Sequence, residues 1–360
     1  MTLRFSILGA GNGGQTLAGD LVLRGFNVVA VYDRFSEMVD PIREKGGITL
    51  LGKVLDGFAP IPLATTEIRK AVLESDVLWV VVPAYAHEYI ATSMAPYLQE
   101  GQLIVLCPGY LGGSLVFQQI FEKMGCSTNV QLAETMILPY ATRLVGPAMV
   151  GLRAIKKWVE LSAFPAHATG LVVKKLKEAM DQLTPGPNIL ATGLNNPNPI
   201  LHVASVLLNV GRFESEKVSE GFDFQDWISP SIARINHLMD QERLAVTEYF
   251  GFEGLSLSEF DRRSYAQAKQ VVQPQGPIPP GAYSIPQRYV TEDVPMGLVP
   301  LSQIARLASI PTPTIDLMIE LACLVRKENY WEKGRTLQKM GLKGLSIPQI
   351  LRRVETGTMN

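Results

Sequence analysis

A short apolar run, Leu3 to Leu8, breaks into Gly9-Ala10-Gly11-Asn12-Gly13-Gly14 and then into a helical stretch of small residues reaching about Arg24. This G-x-G-x-x-G spacing between a strand and a helix is the strongest constraint in the chain. The first glycine permits the tight turn, the second lets backbone N–H groups approach a pyrophosphate, and the third lets helix and strand pack closely. Alone the pattern is weak, since a glycine turn can exist without a ligand. Here the second strand, Asn27 to Tyr32, ends on a carboxylate, Asp33, nineteen residues after Gly14, which is where a ribose partner belongs. Gly9, Gly11, Asn12, Gly13, Gly14 and Asp33 are therefore candidate dinucleotide-binding residues. Asp33 would accept hydrogen bonds from ribose hydroxyls and repel a 2′-phosphate, which favours NAD. Arg34 beside it could pair with that phosphate, so NADP stays open.

The rest of the first half alternates in the same way. Asp76 to Val82 and Leu103 to Leu106 are near-continuous β-branched runs, as expected of parallel strands covered on both faces. They end at Pro83-Ala84-Tyr85-Ala86-His87 and at Cys107-Pro108-Gly109, at the carboxyl ends where open α/β sheets bind ligands. Pro83, His87 and Pro108 are thus candidates for the cofactor's wall, with His87 either a surface or capping residue or a contact on the nicotinamide side. Runs around Val130 to Ala133 and Ala148 to Ile155 read as later strands of the same sheet, and a helix from about Pro165 to Leu183 would close the unit. At Thr184 the texture changes: residues 1 to 183 hold nine of the 24 prolines and residues 184 to 360 hold fifteen. Thr184 to Asn188 reads as a linker, followed by helices over about 199–211, 229–250, 258–270, 301–308, 313–326 and 346–354, with a Pro/Gly-rich loop over 273–286. The expected fold is α/β: a Rossmann-type domain over 1–183 followed by an all-helical domain over 184–360.

Composition removes several function classes. Lys plus Arg number 33 against 34 for Asp plus Glu, a net charge of −1, so nothing points to nucleic acid or an anionic membrane. No apolar run reaches the ~18 residues of a membrane span, and the N-terminus does not read as a signal peptide. Cys107, Cys126 and Cys323 form no CxxC pair, as in a reducing compartment. These features describe a soluble, cytoplasmic protein, compatible with a homodimer without requiring one. HExxH and paired CxxC motifs are missing, so no metal is expected; so is a GxSxG elbow, which argues against a hydrolase.

Two features of the second half could carry chemistry. His202 stands near the start of an otherwise apolar helix, where pattern alone favours a satisfied core histidine. The segment Arg288 to Pro300 (RYVTEDVPMGLVP) sets Glu292 and Asp293 beside a Pro/Gly-rich turn, where a helix-capping role is an even alternative.

Several segments resemble the opine dehydrogenases, the octopine/nopaline dehydrogenase family, with the bacterial N-(1-D-carboxyethyl)-L-norvaline dehydrogenase branch as the nearest pattern. They are LGAGNGG (8–14), VVPAYAH (81–87), EGQLIVLCPGYLGG (100–113), ETMILPYATR (134–143), NPNPILHVASVLLN (196–209), RYVTEDVPMGLVPLSQI (288–304) and GRTLQKMGLKGL (334–345). The resemblance covers residues 6 to about 350. It implies a Rossmann-type domain plus a helical domain, and NAD(P)H-dependent reductive condensation of an amino acid with a 2-oxo acid such as pyruvate. It also implies that His202 and Asp293 are the catalytic pair, reversing the reading from pattern alone. Arg143, Arg288 and Arg335 lie in matching segments and are candidates for the substrate carboxylates, each against the alternative of a structural salt bridge. Glu134 would orient Arg143 or the nicotinamide carboxamide. Val203 stands where the branch pattern has proline, and residues 212–285 follow no shared pattern, which leaves the amino acid unidentified. A 2-hydroxy-acid or ketopantoate-type reductase would share the two-domain plan, but residues 188–216 lack the lysine such enzymes place there. A dinucleotide-sensing protein without turnover is the third reading.

Overall fold

The structure, a computed structural model, describes residues 3–211, 228–265 and 286–358. Eight strands form the main sheet, in the order β5 (Ala64–Thr65), β2 (Asn27–Tyr32), β1 (Arg4–Leu8), β6 (Val77–Val80), β7 (Leu103–Leu106), β8 (Gln131–Thr135), β11 (Val159–Phe164) and β12 (Leu183–Pro185). From β5 to β8 every pair is parallel, and β11 runs antiparallel to β8. The chain leaves β1 toward β2 on one side, and β6 lies on its other side. The carboxyl ends of β1 and β6 therefore flank the topological switch point, where such sheets open a crevice.

A second sheet sits across the helix Asn12–Leu23: β4 (Gly57–Pro60), β3 (Gly47–Leu51), β10 (Met149–Ile155) and β9 (Tyr140–Gly146). The run Ala148 to Ile155 thus joins this sheet and not the main one. Its alternation of buried and half-buried residues fits a sheet covered on one face. Lying between two sheets, the helix buries every residue from Gly14 to Leu21, including Thr16 and Asp20. These two polar groups are paired: Thr16 Oγ1 meets Thr142 Oγ1 at 2.7 Å, and the Tyr140 hydroxyl donates to Asp20 at 2.5 Å. A side chain at Gly19 would collide with Leu50, so glycine is what admits the second sheet.

The closing helix expected over Pro165 to Leu183 is shorter, Thr169–Leu176 after a 3-10 turn. The residues expected as a linker begin with β12, which pairs with β11, and Asn188 then caps the first helix of the second half through the Leu190 and Ala191 N–H groups. From Asn188 onward the described residues hold helices and no strand. The helix Asn198–Leu207 buries Ile200, Val203, Ala204 and Leu207, the i, i+3, i+4, i+7 stripe of a core-facing helix. One hydrophobic cluster runs unbroken from Val80 and Leu106 in the sheet to Ile200, Val203 and Leu298 in the helices. Each fully buried aliphatic side chain contributes ~1.5–3 kcal/mol, so the two halves share a core. The expected loop over 273–285 and the end of the expected helix beyond Tyr265 lie outside the described residues.

Candidate active site

Three of the four glycines are demanded by the protein's own packing. Gly9 has φ +117°, and a Cβ there would strike the Val81 carbonyl; a Cβ at Gly14 would strike the Gly9 carbonyl, and one at Gly13 would crowd Leu138. Around Gly11, apart from its own chain neighbours, no protein atom lies within 4 Å of where a Cβ would stand. Packing does not explain that glycine, and the open space lies at the N-terminus of a twelve-residue helix with no acidic residue in its first turn. A diphosphate fits there on both counts, steric and electrostatic. Asp33 Oδ2 accepts from the Ala10 N–H at 2.8 Å and Oδ1 from the Phe35 N–H at 3.1 Å, leaving lone pairs for ribose hydroxyls. Exposed Arg34 lies over the rings of Phe35 and Tyr89, with its guanidinium carbon 4.8 and 4.7 Å from their centroids. Asn12 turns inward, its Oδ1 accepting from Leu144 N–H at 2.8 Å, and so ties the turn to β9.

The loops after β6 and β7 reach across to the helical half. His202, on the helix Asn198–Leu207, meets Asp293 through Nδ1 and Oδ2 at 2.8 Å. Asp293 is buried, while His202 keeps 13% of its side chain exposed, which joins the pair to solvent through the imidazole alone. The Tyr110 hydroxyl, from the loop after β7, donates to the other oxygen, Asp293 Oδ1, at 2.8 Å. The neighbouring carboxylate, Glu292, accepts from the Ala84 N–H at 2.8 Å and holds Arg288 Nε at 2.8 Å. Burial raises the Glu292 pKa against the pull of Arg288, and Glu292 in turn raises that of Arg288. A π-helical turn, Val294–Leu298, follows Asp293 directly. The Tyr289 ring lies 4.1 Å from that of His202, and Arg143 donates to the Tyr289 hydroxyl at 3.3 Å.

The dyad, Arg288 and Arg143 thus come together, while three other candidates go elsewhere. Arg335 is 2% exposed and committed to the protein: it donates to Gly109 O at 2.8 Å, Leu111 O at 3.2 Å, Ala84 O at 3.4 Å and His87 Nδ1 at 2.9 Å. Burial brings its pKa down to about 10. It pins both loops to the helical half and has no face left for a substrate carboxylate. His87 is fully buried beneath the same loops, neither a surface cap nor a cofactor contact. Burial and Arg335 hold its pKa well below the ordinary value, so it is a neutral acceptor through Nδ1. Glu134 holds Ser114, and no hydrogen bond joins it to Arg143 among the described residues. Its Oε2 accepts from Ser114 N at 2.8 Å and Ser114 Oγ at 2.9 Å beneath Gly109, and burial pushes its pKa up to about 7. Pro83 and Pro108 remain half-buried at the strand ends.

The partners that sequence reasoning missed, Tyr110, Tyr289 and the Glu292–Ala84 link, carry no motif of their own. Tyr110 and Tyr289 do lie inside segments that match the family, which is the one signal that could have singled them out.

A glycine turn at the switch point in one half and a hydrogen-bonded His–Asp pair in the other suit a reaction that moves a hydride and a proton together. This is a nicotinamide-dependent oxidoreductase built from a Rossmann-type half and a helical half. Residues 185–326 match the family model for the α-helical domain of NAD/NADP octopine/nopaline dehydrogenases, and residues 4–107 match that of the coenzyme F420-dependent NADP oxidoreductases. The chain is 34% identical to an opine dehydrogenase from Arthrobacter sp., with 98% of each chain covered. It is 26% identical to a vitopine synthase from Allorhizobium ampelinum, over 97% of this chain and 98% of the relative. A solved octopine dehydrogenase in complex with NADH and agmatine superposes with TM-score 0.76 at 21% identity, covering 99% of this chain and 98% of the other. The chain belongs to the opine dehydrogenase family. It is an NAD(P)-dependent enzyme acting on CH–NH groups, which disfavours the hydroxy-acid reductase and non-catalytic readings.

Proposed function

We propose that this enzyme joins the amino group of an amino acid to a 2-oxo acid and reduces the resulting imine to a secondary-amine dicarboxylate, with His202 as the acid–base group. The observation that carries this reading is the His202–Asp293 contact at 2.8 Å, in which a buried carboxylate holds Nδ1 of a partly exposed imidazole. With Nδ1 engaged, proton exchange falls to Nε2. Imine formation needs a proton taken from the attacking ammonium and one given to the departing carbinolamine oxygen, and one imidazole can do both in turn. Asp293 stabilises the imidazolium between the two steps.

Both substrates carry a carboxylate. Arg288 is more than half exposed although its Nε is fixed by Glu292, so its remaining N–H groups suit one carboxylate. Arg143 has no ion-pair partner among the described residues and suits the other. Bound nicotinamide supplies the hydride that reduces the imine. The open space at Gly11, the helix N-terminus and Asp33 would hold the diphosphate and ribose, and Asp33 favours NAD. The reading places the enzyme in the cytoplasm; none of the described helices is long and apolar enough to cross a membrane.

The test is a matrix of amino acids against 2-oxo acids, following NADH loss and product mass. A product equal in mass to the two substrates minus one oxygen supports the reading: condensation loses water and reduction adds two hydrogens. Loss of NADH with an oxo acid alone, yielding a hydroxy acid, would replace the reading by a simple reductase.

A further inference from the structure

We infer that Tyr110 is a positioning residue of the dyad: by donating to Asp293 Oδ1 it fixes the carboxylate that holds His202 and sets how tightly the imidazole keeps its proton. The inference rests on the proposed role of His202, but its main test needs no turnover.

The two oxygens of Asp293 are divided between two donors, Tyr110 Oη on Oδ1 and His202 Nδ1 on Oδ2, each at 2.8 Å. Donors at both oxygens hold the carboxylate plane and thereby the ring orientation of His202. They also share its charge, so each moderates the other. Without the phenol the full charge falls on the imidazolium, and His202 holds its proton harder.

The chain meets a cost to put Tyr110 there. Its φ is +57°, the left-handed region that non-glycine residues seldom adopt, and such a conformation persists only where the surroundings impose it. The surroundings do impose it. The ring packs between Ala84 and Met296, and a Cβ at Gly193 would stand only 2.8 Å from Leu111 Cα and 2.9 Å from the Tyr110 carbonyl. At 4% exposure the phenol is out of reach of substrate, so it acts through Asp293.

Among the described residues, the neighbouring Glu292, Tyr289 and Arg335 have partners of their own, and Tyr85 lies beside Glu292 and Arg288. Glu292 is held by Ala84 N–H and Arg288; Tyr289 stacks on His202; Arg335 is spent on the loop carbonyls. Tyr110 is the donor to Oδ1 among the described residues, and it comes from 183 positions away in the nucleotide-binding half. The loop that carries it also carries Pro108, so the wall of the cofactor site and the tuning of the dyad are one segment.

The test is Tyr110→Phe in the full-length protein, with the His202 ring titrated by 15N–1H NMR and assigned through His202→Asn. The midpoint should move to higher pH by about half a unit to one unit, part of what a hydrogen bond to a charged group is worth. The same substitution in an Asp293→Asn background should produce no shift. An unchanged midpoint in Tyr110→Phe, or an equal shift in both backgrounds, overturns the inference. Should Tyr110→Phe not fold, selectively labelled tyrosine in the Asp293→Asn variant decides. The Tyr110 ring resonances must move when its acceptor changes, and fixed resonances overturn the inference. In turnover, kcat should fall about tenfold with KM for NADH unchanged. If the condensation assay fails for every substrate pair while the midpoint still shifts, the positioning role stands and the reading of the reaction falls.

Discussion

The glycine turn and the dyad are assembled in opposite ways. Gly9 to Gly14 and Asp33 belong to one strand–helix–strand unit, and the two ends of that unit are joined by the hydrogen bond from Ala10 N–H to Asp33. His202 and Asp293 stand 91 residues apart on different helices, and Asp293 is latched to the other half of the protein by Tyr110. The His202–Asp293 pair in the helical half depends on loops, held by Arg335, that this half does not itself contain.

The largest effect should come from the dyad. His202→Asn should fold, bind NADH with near-normal affinity and lose at least ~100-fold in kcat, the lower range for removing a general acid–base group. Asp293→Asn should also lose activity, and the double variant should be little worse than either, because the two act as one unit. Near-normal turnover in folded His202→Asn would leave the dyad without a catalytic role.

The two arginines divide next. Arg288→Met should raise KM for a carboxylate substrate by roughly 10- to 100-fold, the value of a charge-assisted hydrogen bond, with a smaller loss of melting temperature than Arg335→Met. Buried Glu292 loses its cation but keeps the Ala84 N–H. Arg335→Met should lower the melting temperature further, since Gly109, Leu111 and Ala84 would each lose a donor in a buried place. If Arg335→Met melts normally and fails only in substrate binding, the division between open and buried arginines is wrong.

A smaller effect probes the local half. Asp33→Ala should reduce the NADH-over-NADPH preference by about tenfold, the size of one lost charge interaction near the surface. Steady-state kinetics with both cofactors checks this; an unchanged ratio would take the preference away from Asp33, and a wild-type preference for NADPH would assign the choice to Arg34.

The smallest concerns Glu134 and pH. Its folded pKa, about 7, lies above the ordinary carboxyl value, so the folded state holds a proton that the unfolded chain has released. The stability that goes with this is complete below about pH 4.5 and is lost as pH rises through about 7. Glu134→Gln, which cannot ionise, should melt like the wild type near pH 5 and at a higher temperature near pH 8. Parallel melting curves against pH would show that Glu134 ionises without cost.

Much of the first half is legible from its residues because its determinants are close in sequence. β2 and β7 fall where their β-branched runs predict, and the glycine spacing marks the turn. The exceptions obey the same logic: Ala148 to Ile155 is plainly a strand, but its sheet is chosen by a partner, β3, a hundred residues upstream. In the helical half the stripe of Ile200, Val203, Ala204 and Leu207 is readable, and family resemblance singled out His202 and Asp293.

By itself, then, the sequence determined what depends on neighbours along the chain: the periods of strands and helices, the glycine turn, and the carboxylate closing β2. Tertiary structure alone decided which of three candidate arginines faces solvent and that His87 serves as a buried acceptor. It also decided that Tyr110 completes the dyad. Those outcomes turn on burial and on contacts across 183 to 251 positions, and desolvation at such distances leaves no periodic trace in a sequence.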